Sequence, residues 1–129
     1  MSFGNNSFTF SKKQRLLNAS DFQKVFDNID CKQGGKYCTL LSARNDRLES
    51  RLGLIAAKKN LKLAVQRNRA KRLIRESFRE NRFILLRPNH RFDVIALIKN
   101  SAADVNAENM RQELDKQWLK LIAKRMELD

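Results

Sequence analysis

Between Lys58 and Arg82 the chain carries ten lysines or arginines (58, 59, 62, 67, 69, 71, 72, 75, 79 and 82) against two acids, Glu76 and Glu80. Like charges at this density repel, and a helix made of them has few i,i+4 partners to relieve it. The same segment nevertheless repeats Leu63, Ala70, Leu73, Ile74 and Phe78 at helical spacing. This pattern predicts one helix beginning near Leu61 or Leu63, with Asn60 as its cap and those five residues as a buried stripe. Arg67, Lys71 and Arg75 form one flanking row, and Arg69, Arg72 and Arg79 a second. Such a helix forms only where another layer covers its stripe. The uncovered face then calls for a polyanion, and nucleic acid is the obvious one.

The rest of the chain can supply that layer. At 129 residues, with 42% hydrophobic content, it is long enough for one core-bearing domain over 1–129, with 1–10 as a flexible arm. The longest apolar run, Val94–Ile98, is strand-sized, far short of the roughly 18 residues of a membrane span. Met1–Phe8 lacks the apolar stretch of a signal peptide, so a cytoplasmic location is expected. Cys31 and Cys38 have neither zinc-knuckle nor redox-pair spacing and read as reduced packing residues. His90 is the lone histidine, beside a proline turn, and reads as a surface residue.

The polar arm contains Phe3, Phe8 and Phe10, then Lys12, Lys13 and Arg15. Phe22, Val25, Phe26 and Ile29 recur at i, i+3, i+4 and i+7, predicting a short helix. Asn18 can cap it, or Ser20 with Gln23 in a capping box. Tyr37–Ala43 and Arg51–Ala57 read as strands whose close succession suggests an antiparallel hairpin. A weak edge strand lies around Cys31–Gln33, and Phe92–Ile98 is the third clear strand. A last helix, capped by Asn106 or Asp104, turns Met110, Leu114, Trp118, Leu121, Ile122 and Met126 to one side. The order predicts an α+β sandwich of helices on a small sheet.

The side-chain inventory favours binding over cutting. Arginine suits phosphate because its planar fork engages two oxygens at once. Asn68, between two arginines, fits a phosphate, a 2′-hydroxyl, a base edge or simply solvent. Phe22, Phe26 and Tyr37 invite base stacking. Periodicity favours core for Phe26 and leaves Phe22 open, while Trp118 reads as a core anchor. Asp21, Asp27 and Asp30 lack metal-ligand spacing, one histidine cannot form an acid–base pair, and there is no phosphate-cradling glycine loop. A DNA-binding helix-turn-helix would need a helix just upstream of Lys58, where a strand is predicted instead. A non-enzymatic ribosomal or RNA-chaperone protein is the main rival reading.

Lys58-Lys59 followed by Ala64-Val65-x-Arg67-Asn68-Arg69-x-Lys71-Arg72-x-x-Arg75-Glu76 resembles the Arg-Asn-Arg signature of the bacterial ribonuclease P protein subunit. Arg15-Leu16, Asp21-Phe22-x-x-Val25-Phe26 and Arg51-x-Gly53-Leu54 resemble earlier blocks of that family, and the likeness spans roughly 10–125. The resemblance implies an α-β-β-β-α-β-α two-layer sandwich, like one domain of a small-subunit ribosomal protein, with a left-handed β-α-β crossover. It implies a subunit of the ribonucleoprotein endonuclease that removes the 5′ leader from precursor tRNA. The RNA subunit, with Mg²⁺, performs the cleavage, and the protein carries no active site or bound metal. Lys58, Lys59, Asn60, Arg67, Asn68, Arg69, Lys71, Arg72 and Arg75 are implied contacts to the catalytic RNA. Lys12, Arg15, Phe22, Phe26 and Tyr37 are implied contacts to the leader, in a cleft between the first helix and the sheet. Relatives can place an aromatic at the end of the second strand, where this chain has Tyr37 at the start and Leu40-Leu41 after it.

Overall fold

The computed structural model describes residues 12–16 and 18–129. A four-stranded sheet is built from β1 (Cys31–Gly34), β2 (Cys38–Asn45), β3 (Arg51–Ile55) and β4 (Arg91–Ile98), in the order β1-β2-β4-β3. Helices α1 (Ala19–Asp27), α2 (Ala64–Glu80) and α3 (Ala107–Met126) complete the α-β-β-β-α-β-α order.

The expected hairpin between the second and third strands does not form. β4 lies between them, antiparallel to β2 and parallel to β3. The reason is in β4 itself: Phe92 to Ala96 are buried without interruption, the mark of a strand covered on both faces, and such a strand takes a central place. β3 then joins it in parallel, with α2 as the crossover that parallel neighbours require.

Strand alternation divides the core. Phe92, Val94, Ala96 and Ile98 of β4 join Cys38 and Leu40 of β2 in the main cluster beneath α2 and α3. Ile95 and Ala43 face the other way and pack with Leu16 and Val25, beneath α1. The sheet therefore separates α1 from α2 and α3.

Local signals set most helix ends. The Asn18 side chain accepts from the Asp21 amide at 2.9 Å, which decides the α1 cap in favour of Asn18 over Ser20. Asn106 does the same for α3 through the Asn109 amide. Asn60, however, does not cap α2. Leu63 holds that position, Gln66 Oε1 accepts from its amide, and the Asn60 amide group instead donates to the Ile98 carbonyl. Leu63 is consequently exposed rather than part of the buried stripe, and Met126 at the end of α3 is exposed too.

α3 also buries residues that apolar spacing does not mark. Gln117 donates to the Gln33 and Cys38 carbonyls, tying β1 to β2. Arg125 is 0% exposed, and its guanidinium donates to Asp30 Oδ1 at 2.6 Å and Ser42 Oγ at 2.7 Å. Its Nε donates to His90 Nε2 at 3.1 Å, which fixes the His90 proton on Nδ1, facing Asp129 Oδ1 at 2.6 Å. His90 is thus buried, contrary to its reading as a surface residue, because the proline turn brings it onto the end of α3.

Burial pushes the Asp30 carboxyl up, but hydrogen bonds from Arg125 and the Arg44 amide outweigh it and hold the pKa below its ordinary value. A folded-state pKa below the unfolded value of about 3.9 contributes stability that is complete above that pH and lost as pH falls through the folded value. Asp30→Asn is therefore expected to destabilise the domain by about 1–2 kcal/mol at pH 7: it leaves the buried Arg125 charge without its carboxylate, a loss that solvent screening at the partly exposed Asp30 side chain reduces. Denaturant unfolding should show the gap to the unsubstituted chain closing below about pH 4; a gap independent of pH would refute the assignment.

Candidate nucleic-acid interface

α2 is anchored by its inner face. Ala70, Ile74, Ser77 and Phe78 are buried, the Trp118 indole donates to Ser77 Oγ at 2.9 Å, and the Phe78 and Trp118 rings meet edge-on at 5.6 Å. At its C-terminal end Asn81 donates to Asp115 Oδ1 at 3.0 Å. With that side fixed, helical spacing turns Asn68, Arg72, Arg75 and Arg79 outward, flanked by Lys71 and Arg69.

The outer face is poor in acid. Arg72 approaches Glu76 at 3.5 Å, an exposed pair of little energetic weight. Among the described residues Arg69, Lys71 and Arg75 make no ion pair or side-chain hydrogen bond. Arg67 is different. Its guanidinium donates to the Leu61 and Lys62 carbonyls at 2.8 and 3.0 Å, folding back over the segment that enters the helix. Lys58 and Lys59 stand exposed on the turn that precedes it, and Asn60 is half-buried. One continuous surface thus gathers the Lys58-Lys59 turn and the outer face of α2, with Arg67 and Asn60 acting partly as its internal braces.

The second candidate surface lies on the opposite side of the sheet, where α1 packs. Phe22 packs closely against β3 because residue 53 is glycine. A Cβ built there would fall 2.7 Å from Leu16 Cδ1 and 2.8 Å from the Phe22 ring. Phe22 is accordingly half-buried in the α1 cluster, while Phe26 is 40% exposed. Periodicity alone favours core for Phe26, but the structure leaves it the more accessible of the two rings. Tyr37 is not part of this surface: it is 6% exposed and packs in the main cluster. Arg15 is exposed at the edge of β3, where it bridges Leu52. The side chain of Lys12 lies outside the described residues, as do Phe3, Phe8 and Phe10.

The structure adds a polar recess of about 560 Å³ at one end of this side, lined by Lys24, Arg44 and Arg47 among others. Its floor is Arg51, whose guanidinium donates to both carboxylate oxygens of Asp93 at 2.9 and 2.7 Å and lies 3.6 Å from Asp21. Lys24, Arg44 and Arg47 are scattered in sequence, and only the fold gathers them. Among the described residues no group of three or more His, Cys, Asp or Glu is placed to hold a metal ion. No described helix is long and apolar enough to cross a membrane.

The family model for ribonuclease P matches residues 10–122. The chain belongs to the ribonuclease P family. It is 40% identical to the ribonuclease P protein component of Pseudomonas aeruginosa strain PAO1 over 90% of this chain and 83% of the relative. Identity to the Vibrio campbellii protein component is 41%, covering 90% of this chain and 94% of that one. Among solved structures, the Staphylococcus aureus RNase P protein superposes with a TM-score of 0.73 at 27% identity, over 88% of this chain and 97% of that one. The Thermotoga maritima RNase P protein gives 0.69 at 25% identity, over 82% and 96%. The ribonuclease P family fold is therefore the frame on which both surfaces sit.

Gly53→Ala tests how tightly the α1 side is fitted. The added methyl should displace Leu16 and the Phe22 ring and destabilise the domain by about 1–3 kcal/mol, read by thermal or denaturant unfolding. Unchanged stability together with unchanged Phe22 ring resonances would show that the fit is loose.

Proposed function

We propose that this chain serves ribonuclease P as an adaptor with two RNA-binding surfaces on opposite sides of one sheet. As a ribonuclease P protein component it is a subunit of the tRNA-processing ribonucleoprotein enzyme. The observation that carries the reading is the outer face of α2, a helix anchored through Ile74, Ser77 and Phe78 whose outward cations are mostly left without acidic partners. Ion pairs that are not made within the protein are available to phosphate.

On this reading Lys58, Lys59, Asn68, Arg69, Lys71, Arg72 and Arg75 dock on the catalytic RNA. Arg67 and Asn60 shape the approach, and Arg67 retains donors that can also reach a phosphate. The α1 side receives the unpaired 5′ leader of precursor tRNA, with Phe26 as the exposed stacking ring and Phe22 as its support. Arg15 and Lys12 lie toward the same edge in the chain, and Tyr37 has no part in stacking. On this reading cleavage and its Mg²⁺ belong to the RNA, and the protein contributes phosphate-binding cations. The working location is the cytoplasm. A purely ribosomal or RNA-chaperone role is not favoured by the family to which the chain belongs.

Reconstitution with ribonuclease P RNA and precursor tRNA at low Mg²⁺ tests the whole reading: the chain should restore site-specific 5′ cleavage, and failure to do so would overturn it. Arg69→Ala with Arg72→Ala should leave the fold intact and weaken RNA-subunit binding. The salt dependence should become shallower, by about 0.7–0.9 in log K per decade of salt for each phosphate no longer neutralised. Unsubstituted affinity and slope in that double variant would place the docking face elsewhere.

Phe26→Ala should weaken precursor tRNA binding by roughly 1–3 kcal/mol if the ring stacks on one base, with mature tRNA little affected. Equal losses for both RNAs would argue that Phe26 is structural.

A further inference from the structure

The polar recess beside α1 belongs to neither RNA-binding surface. Lys24 precedes the buried Val25 by one residue and Phe26 follows it, so at about 100° per residue the two project to opposite flanks of α1. The recess lies on the Lys24 flank, and neither Phe22 nor Phe26 lines it. Its volume of about 560 Å³ is that of a small-molecule site.

The charges around it do not cancel. Arg51 is paired with Asp93, and Asp30 with Arg125, so both carboxylates are already neutralised. That leaves Lys24, Arg44 and Arg47 against one acid of the lining, Asp46. Among the described residues none of these three cationic side chains makes an ion pair or a hydrogen bond. Asp129 feels the charge of Arg44 without pairing with it. The backbone that carries each cation is nevertheless pinned. Asn28 donates to the Lys24 carbonyl at 2.7 Å, the Arg44 amide donates to Asp30 Oδ2 at 3.0 Å, and the Arg47 amide to Asn45 Oδ1 at 2.9 Å. A fixed backbone bearing unpartnered cations is pre-organised for an anion, because little ordering is left to pay for on binding.

We infer that the recess binds a compact polyphosphate carried by a nucleoside, either the 5′-terminal triphosphate of an RNA or a free nucleoside triphosphate. Its cations come from three separate segments, α1, β2 and the β2–β3 turn, and so surround one volume. The row on α2, by contrast, follows an extended anion. No aromatic ring lines the recess, so it reads phosphate number and is indifferent to the base. Asp46, the acid that remains, suits a ribose hydroxyl, which can donate to it. The inference depends neither on docking at α2 nor on stacking at Phe26.

The test titrates the full chain with ATP, ADP, AMP and cytidine triphosphate, followed by NMR at the backbone amides. Saturable shifts are expected at residues 24–28 and 44–47, with affinity rising from mono- to triphosphate and alike for ATP and cytidine triphosphate. Lys24→Ala and Arg47→Ala should each raise the Kd read at 44–47 about tenfold, the loss of one charge-assisted phosphate contact. Any Kd read at 69–75 on α2 should stay unchanged. Shifts confined to α2, equal affinity for AMP and ATP, or unsubstituted affinity in both variants would overturn the inference. Precursor tRNA ending in a 5′-triphosphate, a monophosphate or a hydroxyl separates the two sources. Tighter binding of the triphosphate form, abolished by Lys24→Ala with Arg47→Ala, assigns the RNA end. Equal binding of all three forms, with ATP still shifting 44–47, assigns the free nucleotide.

Discussion

Everything about this domain depends on the burial of one side of α2. A 17-residue helix whose outer face is so rich in cations has little reason to be helical by itself. Burial of Ile74 and Phe78, at about 1.5–3 kcal/mol for each large apolar side chain, is of the size needed to offset that repulsion. The polar contacts are specific as well. Ser77 accepts from Trp118, and Asn81 reaches Asp115, so α3 fixes the rotation of α2 about its own axis. Rotation is what sets which side chains of α2 face outward, because a turn of one residue, about 100°, would aim the arginines into the sheet.

The same economy of space governs the other side of the sheet. Gly53 removes a side chain where Leu16 and Phe22 must lie against β3. Val25 fills the gap beside them and is almost wholly buried. Val25 is the buried residue of this nine-residue helix, and the next aromatic, Phe26, is left 40% exposed. The buried Arg51–Asp93 pair beneath the adjoining recess is aligned by strand register, since residues 51 and 93 are direct partners across β3 and β4. A basic side chain at the first position of β3 is therefore part of the frame and contributes nothing to the cationic surface.

The sequence was informative wherever structure is set by neighbours along the chain. The Asn18 and Asn106 caps, the α2 stripe at Ala70, Ile74 and Phe78, and the apolar run of β4 all follow from spacings of a few residues. It was silent where an interaction spans the chain. Arg125 meets Asp30 across 95 positions and His90 across 35, and no periodicity marks either pair. Strand order failed for a related reason: a short link between β2 and β3 suggested a hairpin, but the doubly buried β4 had the stronger claim on the centre. At the candidate sites, spacing identified the faces of α1 and α2 and did not give depth. Phe22 and Phe26 share one face of α1, yet one is pressed on Gly53 and the other is exposed. Leu63 and Met126 failed in the same way, each placed by period at a helix end that the core does not reach. The family signature found the Arg-Asn-Arg segment without distinguishing Arg67, which braces the preceding loop, from Arg69 and Arg72, which do not.

Placing the two surfaces back to back has a mechanical consequence. α1 reaches the sheet through Val25, Ala43 and Ile95, and α2 through Ile74, Phe78 and the opposite side of the same strands. β4 is hydrogen-bonded on both edges and packed on both faces, the stiffest position the fold offers. A load on the outer face of α2 therefore works against a plate packed on both faces, and the α1 side is buffered from it by that plate. The two-surface adaptor proposed above, which would hold two RNA segments in fixed register, gains from such stiffness. Neither surface has to move for the other to be used, and their separation is set by the thickness of one sheet and two helices.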